Sequence, residues 1–238
     1  MNTRGRSPTQ TRDSTDPIAL QAENPMAITE VQTLQLRDLG AATVYEAQGA
    51  KGALDSGMKP IDPTVRLVGP AFPVDCRPAD NLVLHYAVQK AKPGDVLVVD
   101  AKGFMEAGPW GDVLTIQAMK VGIAGLVING CVRDANTIIE LGFPVFCRGL
   151  SIKGTAKNQP GKVNVPVSIG DVLIQPGDVI VGDRDGLVVV PAEELVSTIA
   201  ASLIREEKEA LQRKAIAEGA YTADLLGFTR TLQALGLV

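Results

Sequence analysis

The stretch from Pro109 to Asn136 constrains the fold more than any other part of the chain. It reads P-W-G-D-V-L-T-I-Q-A-M-K-V-G-I-A-G-L-V-I-N-G-C-V-R-D-A-N. A Gly-Asp helix start at 111–112 opens a short apolar helix, Gly122 acts as a hinge, and an apolar strand over 124–128 leads to Arg133-Asp134. A continuous apolar run of that length, bounded by glycines and preceded by a helix, is the signature of a buried strand in a layered α/β fold. Twenty residues separate Asp112 from Arg133, so two acids and a guanidinium can meet at one end of such a layer.

The surrounding chain extends the pattern. Helical spacing runs over 81–91, 113–121 and 135–141, alternating with apolar strands at 124–128 and 144–147. P-G-D-V-L-V-V-D at 93–100 is echoed by P-G-D-V-I-V-G-D at 176–183, which reads either as two strands of similar, paired geometry or as one favoured turn used twice. Upstream, 28–39 and 42–48 read as two helices, with Gly49 ending the second, and 65–68 and 71–74 as two short strands joined by a turn. From Val163 to Pro191 short strands alternate with Gly and Pro turns, so a mostly β layer packs against the helical one. A charged amphipathic helix over 192–217 should bury a face containing Val196, Ile199, Leu203 and Leu211, and a tail helix over 223–235 completes the chain. Residues 1–25 have few groups worth burying and read as a disordered lead, with Met26 a candidate natural start; 26–238 form a single domain.

Composition narrows function by exclusion. The 238 residues, 45% hydrophobic, suffice for a substantial core. With 23 basic and 27 acidic residues the net charge is -4, which argues against a nucleic-acid surface. No apolar run approaches the roughly 18 to 20 residues of a membrane span, and no signal-peptide core begins the chain, so the cytoplasm is the expected compartment. Cys76, Cys131 and Cys147 lack C-x-x-C pairing and read as reduced and buried. A single histidine, His85, rules out a multi-histidine zinc site, and no G-x-S-x-G, G-x-G-x-x-G or G-K-[ST] is present.

What remains is an acid-rich, histidine-poor set suited to hydrated Mg²⁺ or Mn²⁺. Asp112 reads either as a plain helix N-cap or as part of a site, since the amides of Val113 and Leu114 lie at a positive helix end able to hold a carboxylate. Arg133 supplies a fork for a carboxylate and Asp134 a hard oxygen ligand, although such a pair also serves as an ordinary surface pair. His85 is either a packed residue or a substrate contact.

As a set these residues resemble the metal-dependent pyruvate aldolases that cleave 4-hydroxy-4-methyl-2-oxoglutarate and 4-carboxy-4-hydroxy-2-oxoadipate, a family that also contains the regulator of ribonuclease activity A. The resemblance rests on Asp112, twenty residues, then Arg133-Asp134, with N-L-x-x-H at 81–85, P-G-D-V-L-V-V-D, W-G-D-V-L and G-D-x-D-G at 182–186. It implies a β/β/α swivelling-domain fold with C-terminal helices, assembled as a homotrimer or homohexamer. It implies that Asp134 binds Mg²⁺ or another divalent metal, Arg133 the pyruvyl portion of the substrate, and Asp112 the metal's water shell. The substrate carboxylate then meets the Gly111, Val113 and Leu114 segment; Asn81, His85 and Arg148 are candidates for contacting the substituent at C4. A glutamate from the neighbouring subunit's last long helix, Glu209 or alternatively Glu206, completes the site at the interface. The implied activity is cleavage of 4-hydroxy-2-oxo acids to pyruvate and a second 2-oxo acid, with oxaloacetate decarboxylation beside it. The competing readings are an aldolase using a Schiff-base lysine, Lys102 or Lys120, and a non-enzymatic ribonuclease-binding regulator.

Overall fold

In the computed structural model residues 28–237 are described, so the expected lead over 1–25 and the start at Met26 fall outside the described residues. The elements follow in the order α1 (Glu30–Ala47), β1 (Lys59–Pro60), β2 (Leu67–Asp75), α2 (Leu82–Lys90), β3 (Val96–Phe104), α3 (Asp112–Val121), β4 (Gly125–Val132), α4 (Ala135–Leu141) and β5 (Val145–Leu150). Then come β6 (Lys162–Val163), β7 (Val167–Ile169), β8 (Val172–Ile174), β9 (Val179–Gly182), β10 (Leu187–Val190), a 3₁₀ turn at Ala192–Glu194, α5 (Leu195–Ala217), α6 (Thr222–Leu225) and α7 (Thr229–Ala234).

Strands β2, β3, β4 and β5 lie side by side and parallel, within a sheet ordered β1-β5-β4-β3-β2-β9-β10. Their apolar runs are explained by burial on both faces. On one face Leu97, Val99, Leu126, Ile128 and Val132 pack under α2, α3 and α4 through Leu84, Val88, Leu114, Ala118 and Ile138. On the other, Val96, Val98, Val127 and Phe146 meet Met58, the β7–β8 hairpin, and the inward side chains Ile180 and Leu187. The outward side chains of β9 and β10, Val179, Val181, Val188 and Val190, are covered in turn by α1 and α5. This is the β/β/α swivelling-domain arrangement, with an added helical layer outside the second β layer.

Several expected boundaries shift for identifiable reasons. The two strands expected at 65–68 and 71–74 are one, β2, because Gly69-Pro70 sits where the strand changes partner rather than at a turn: Leu67–Pro70 pairs antiparallel with β9 and Ala71–Asp75 parallel with β3. A proline is tolerated at such a break in the ladder. The two expected N-terminal helices are present within Glu30–Ala47 and meet directly at Gly40, whose non-helical φ of 77° no ordinary side chain favours. Asp183 of the G-D-x-D-G stretch accepts the Ala41 N–H at 2.8 Å, capping the second half. The echoed P-G-D-V pieces are a turn used twice: Asp95 accepts from Lys92 N–H and Asp178 from Gln175 N–H, each at 2.7 Å, and β3 and β9 flank β2 without pairing to each other. Of the face expected on α5 only Ile199 is buried; Val196, Leu203 and Leu211 are exposed. The tail helix is split into α6 and α7 at Gly227, which has φ 74°.

All three cysteines are free thiols and buried. Burial pushes Cys76 up to about 12 and Cys147 up to about 11. No described helix is long and apolar enough to cross a membrane.

Candidate active site

The carboxyl end of β4 gathers the predicted groups, as open α/β layers commonly do. Segment 109–112 is drawn alongside it: Trp110 bridges Val132, and Arg133 N–H donates to Trp110 O at 2.9 Å. Trp110 is fully buried and stacks on Phe143 at 6.4 Å. Its indole N–H donates to Thr115 Oγ1 at 2.8 Å, and that hydroxyl donates to Gly111 O at 3.0 Å. A buried hydrogen-bond chain therefore pins the start of α3 against the exit of β4.

Asp112 is not the N-cap expected from the sequence. Gly111 holds that position, and Asp112 is the first helical residue. Gly111 is extended, with φ -147°, so its need is for space rather than for conformational freedom. A Cβ there would lie 2.4 Å from Asp134 Oδ2 and 3.1 Å from Arg133 Nε. Because that space is empty, Asp134 Oδ2 reaches 3.4 Å from the Asp112 backbone nitrogen and 3.4 Å from Arg133 Nε. Asp112 Oδ1 accepts the Val113 N–H at 2.7 Å. A ligand carboxylate using the Val113 amide must displace it. Asp134 itself occupies the left-handed region, φ 57° and ψ 34°, a conformation that costs an aspartate about 1 kcal/mol or more and recurs at functional sites.

Asn81 and His85 approach from α2. Asn81 Nδ2 donates to Pro109 O at 2.8 Å, tying α2 to the same segment. Its Oδ1 and His85 Nε2 are both buried and have no partner within the described residues. Unpaired buried polar atoms are costly, and here both belong to residues lining one cavity of about 190 Å³, shared with Gly111, Asp112, Arg133 and Lys157. A second hollow of about 500 Å³ lies across Arg133 and Asp134, bordered by Asp112, Asn136, Leu150 and Ile152. Asp112 and Arg133 stand between the two.

Four candidates lie elsewhere. Glu209 sits on α5, in the layer against α1, where Arg205 Nε holds it at 2.9 Å and Arg213 Nη1 at 3.6 Å; Glu206 pairs with Arg213. Arg148 is on the opposite face of the sheet, in a polar row with Asn129, Asp100, Lys102 and Asp55. Lys102 is paired at 2.6 Å with both Asp75 and Asp100. Burial pulls its pKa down, but the hydrogen bonds and charges of the two carboxylates outweigh this and leave it raised, the reverse of what a Schiff-base nucleophile needs. Lys157 escaped sequence reasoning because its T-A-K-N-Q surroundings have no periodicity or motif.

The donor set at Asp112 and Asp134 is hard oxygen without histidine or thiolate, and no cluster of three or more ligating His, Cys, Asp or Glu occurs among the described residues. Such a set fits a largely hydrated Mg²⁺ or Mn²⁺ held by one or two carboxylates and finished by a chelating substrate, not a closed protein cage.

Two β layers and a helical layer, with carboxylates, a guanidinium and a helix N-terminus gathered at the end of a parallel strand, define the class of domain to which the chain belongs. The chain belongs to the RraA-like family, whose profile, described as Aldolase/RraA, matches residues 38–189. It is 36% identical over 184 residues, 77% of this chain and 88% of the other, to a Halalkalibacterium halodurans protein that carries the provisional name 4-hydroxy-4-methyl-2-oxoglutarate aldolase. Among solved structures it is similar to an uncharacterized protein from Pseudomonas syringae pv. tomato, with TM-score 0.74 and 30% identity, covering 84% of this chain and 98% of that one. It is also similar to RraAS2 of Streptomyces coelicolor, described as an unusual member of the RNase ES inhibitor RraA protein family, with TM-score 0.70 and 30% identity over 79% and 98% of the two chains.

Proposed function

We propose that this protein is a divalent-metal-dependent pyruvate aldolase that cleaves 4-hydroxy-2-oxo di- or tricarboxylic acids to pyruvate and a second 2-oxo acid. The observation that carries the reading is the meeting of Arg133, Asp134 and the Asp112 helix start beside a cavity lined by Asn81 and His85, each with a buried polar atom that has no partner among the described residues. Cleavage breaks the C3–C4 bond, sends its electron pair into the 2-oxo group as an enolate, and removes the proton of the 4-hydroxyl. A divalent cation bound through Asp134 supplies Lewis-acid chemistry for the adjoining 2-oxo and carboxylate oxygens. Arg133 adds a fixed positive charge beside the developing enolate. The first amides of α3 receive the substrate carboxylate, which displaces Asp112 from Val113 and frees that carboxylate to orient the water accepting the 4-hydroxyl proton. The same electron sink serves loss of CO₂ from oxaloacetate, so decarboxylation accompanies aldol cleavage.

Asn81 and His85 supply polar contacts, and Lys157 a second cation, for the far end of the substrate. Glu209 completes the site from a neighbouring copy in a trimer or hexamer. The exposed apolar side chains at the pocket rim, Leu150 and Ile152, and along α5, Ile204 and Leu211, supply surface for such an assembly to cover. The test is pyruvate release in the presence of Mg²⁺ from a panel of 4-hydroxy-2-oxo acids by wild type, Arg133→Ala and Asp134→Ala. Near-normal rates in both variants discard the assignment.

The likeness to RraAS2 supports a second reading, a ribonuclease-binding regulator. Tight ribonuclease association together with no turnover of any 4-hydroxy-2-oxo acid would reverse the choice.

A further inference from the structure

The segment 151–161 has almost no regular structure and largely exposed side chains, yet its backbone is fastened at several points. Ala156 N–H donates to Ala79 O at 2.8 Å and Ala156 O accepts from Asn81 N–H at 3.1 Å. The strongest fastening is a single carboxylate. Asp80, 2% exposed, accepts from Asn158 N–H at 2.9 Å and Gln159 N–H at 3.0 Å through Oδ2, and from Leu82 N–H at 2.9 Å through Oδ1. One buried anion thus joins two parts of the chain 78 positions apart. On one side is the start of α2, which carries Asn81 and His85. On the other is the segment that carries Lys157. Both sides line the same cavity as Arg133. Hydrogen bonds to an ionised acceptor are about twice as strong as neutral ones, and an exposed segment without its own ladder depends on them.

We propose that Asp80 is a positioning residue that holds Lys157 over the cavity, so that Lys157 takes the carboxylate at the end of the substrate remote from Arg133. This rests on the aldolase reading of the pocket. Asp80 touches no substrate; it acts through the backbone of 158–159. An Asp80→Asn change keeps size, but whichever way the amide turns it sets its NH2 against at least one of the three N–H donors and removes the charge that strengthens the remaining bonds, which loosens the segment.

The experiment compares calorimetric binding of pyruvate and of 2-oxoglutarate, with Mg²⁺ present, to the full chain and to Asp80→Asn, Lys157→Met and the double variant. Pyruvate reaches only the Arg133 end, whereas 2-oxoglutarate carries a second carboxylate. Asp80→Asn should weaken 2-oxoglutarate about tenfold, as expected for loss of one charged contact, and leave pyruvate within about twofold. The double variant should be no weaker than Lys157→Met alone, because both remove the same contact. Amide exchange at 156–159 should rise at least about tenfold in Asp80→Asn. If Asp80→Asn does not fold, Gln159→Pro, which removes one of the donors and leaves the buried carboxylate, carries the same comparison. Equal losses for both ligands, multiplying losses in the double variant, or unchanged exchange overturn the proposal alone. A wild-type protein that binds neither ligand overturns the aldolase reading and the proposal with it.

Discussion

The Asp134 carboxylate rests 3.4 Å from the backbone nitrogen of Asp112, so the residue leaving β4 sits directly on the first turn of α3. That contact exists because Gly111 has no Cβ. Gly111→Ala places a methyl 2.4 Å from the present Asp134 Oδ2 position, and the flexible carboxylate, rather than the backbone, gives way. A shift of an ångström in a reacting group costs on the order of 100-fold, so kcat/KM should fall by about that factor. The melting temperature should move by no more than about 2–4 °C. Steady-state pyruvate release and thermal unfolding check both halves.

Asp134 holds a left-handed backbone that glycine adopts freely. Its ion pair with Arg133 is long and half exposed, so it adds little stability to offset that strain. Asp134→Gly should therefore abolish activity while raising stability by roughly 1 kcal/mol, a gain of about 2–4 °C. A fall in melting temperature would show that the carboxylate contributes more to folding than to the site.

How much of this was readable beforehand depends on the range of the interactions involved. The central strands and helices were legible because each apolar run is a local pattern, and Arg133-Asp134 lay where a strand ends. Gly111 and Asp112 were misassigned by one position because a Gly-Asp pair is compatible with either residue as cap; the choice is made by the distant contact with Asp134. Merging of the two strands into β2 depends on β9, more than 100 residues later, providing the second partner for Leu67–Pro70. Lys157 was invisible for the same reason: nothing near it in sequence places it, and Asp80 does. His85 stood out as the single histidine and Asn81 through the resemblance to known aldolases, and the structure adds that both residues line one cavity and that each carries a buried polar atom without a partner among the described residues.

Thr115 is the middle of the chain from the Trp110 indole to Gly111 O. Thr115→Val keeps its shape but leaves a buried indole N–H unpaired, which costs about 1–3 kcal/mol. Unfolding should shift down by roughly 2–4 °C per kcal/mol, and activity should fall with it because the α3 start loosens. Trp fluorescence on the single Trp110 offers a direct reading of the altered packing.

Burial pushes the Asp80 carboxyl up, but the amides of Asn158, Leu82 and Gln159, with the charge of Lys157, outweigh it and hold the group below the usual 3.8. A folded-state pKa below the unfolded one means that the stabilisation is present above about pH 4 and lost as pH falls through the lower folded value. The melting-temperature gap between wild type and Asp80→Asn should be full at pH 7 and narrow on acidification below pH 4. A gap that is constant from pH 7 to pH 3 would show that the ionised form is not what holds the segment.

Glu209 offers the sharpest test of a site shared between copies. In one chain it lies on α5, bound to Arg205 and Arg213, while Arg133 and Asp134 lie at the end of β4 under a different helical layer. If a neighbour supplies it, Arg133→Ala and Glu209→Gln are each inactive because every interface lacks one partner. In a randomly mixed 1:1 assembly of closed rings, about one quarter of the interfaces pair a wild-type Arg133 with a wild-type Glu209. Mixing the two inactive proteins under conditions that exchange subunits should then restore roughly a quarter of wild-type pyruvate release. Mixtures that stay inactive after exchange, verified by mass, place the whole site within one chain and remove Glu209 from it.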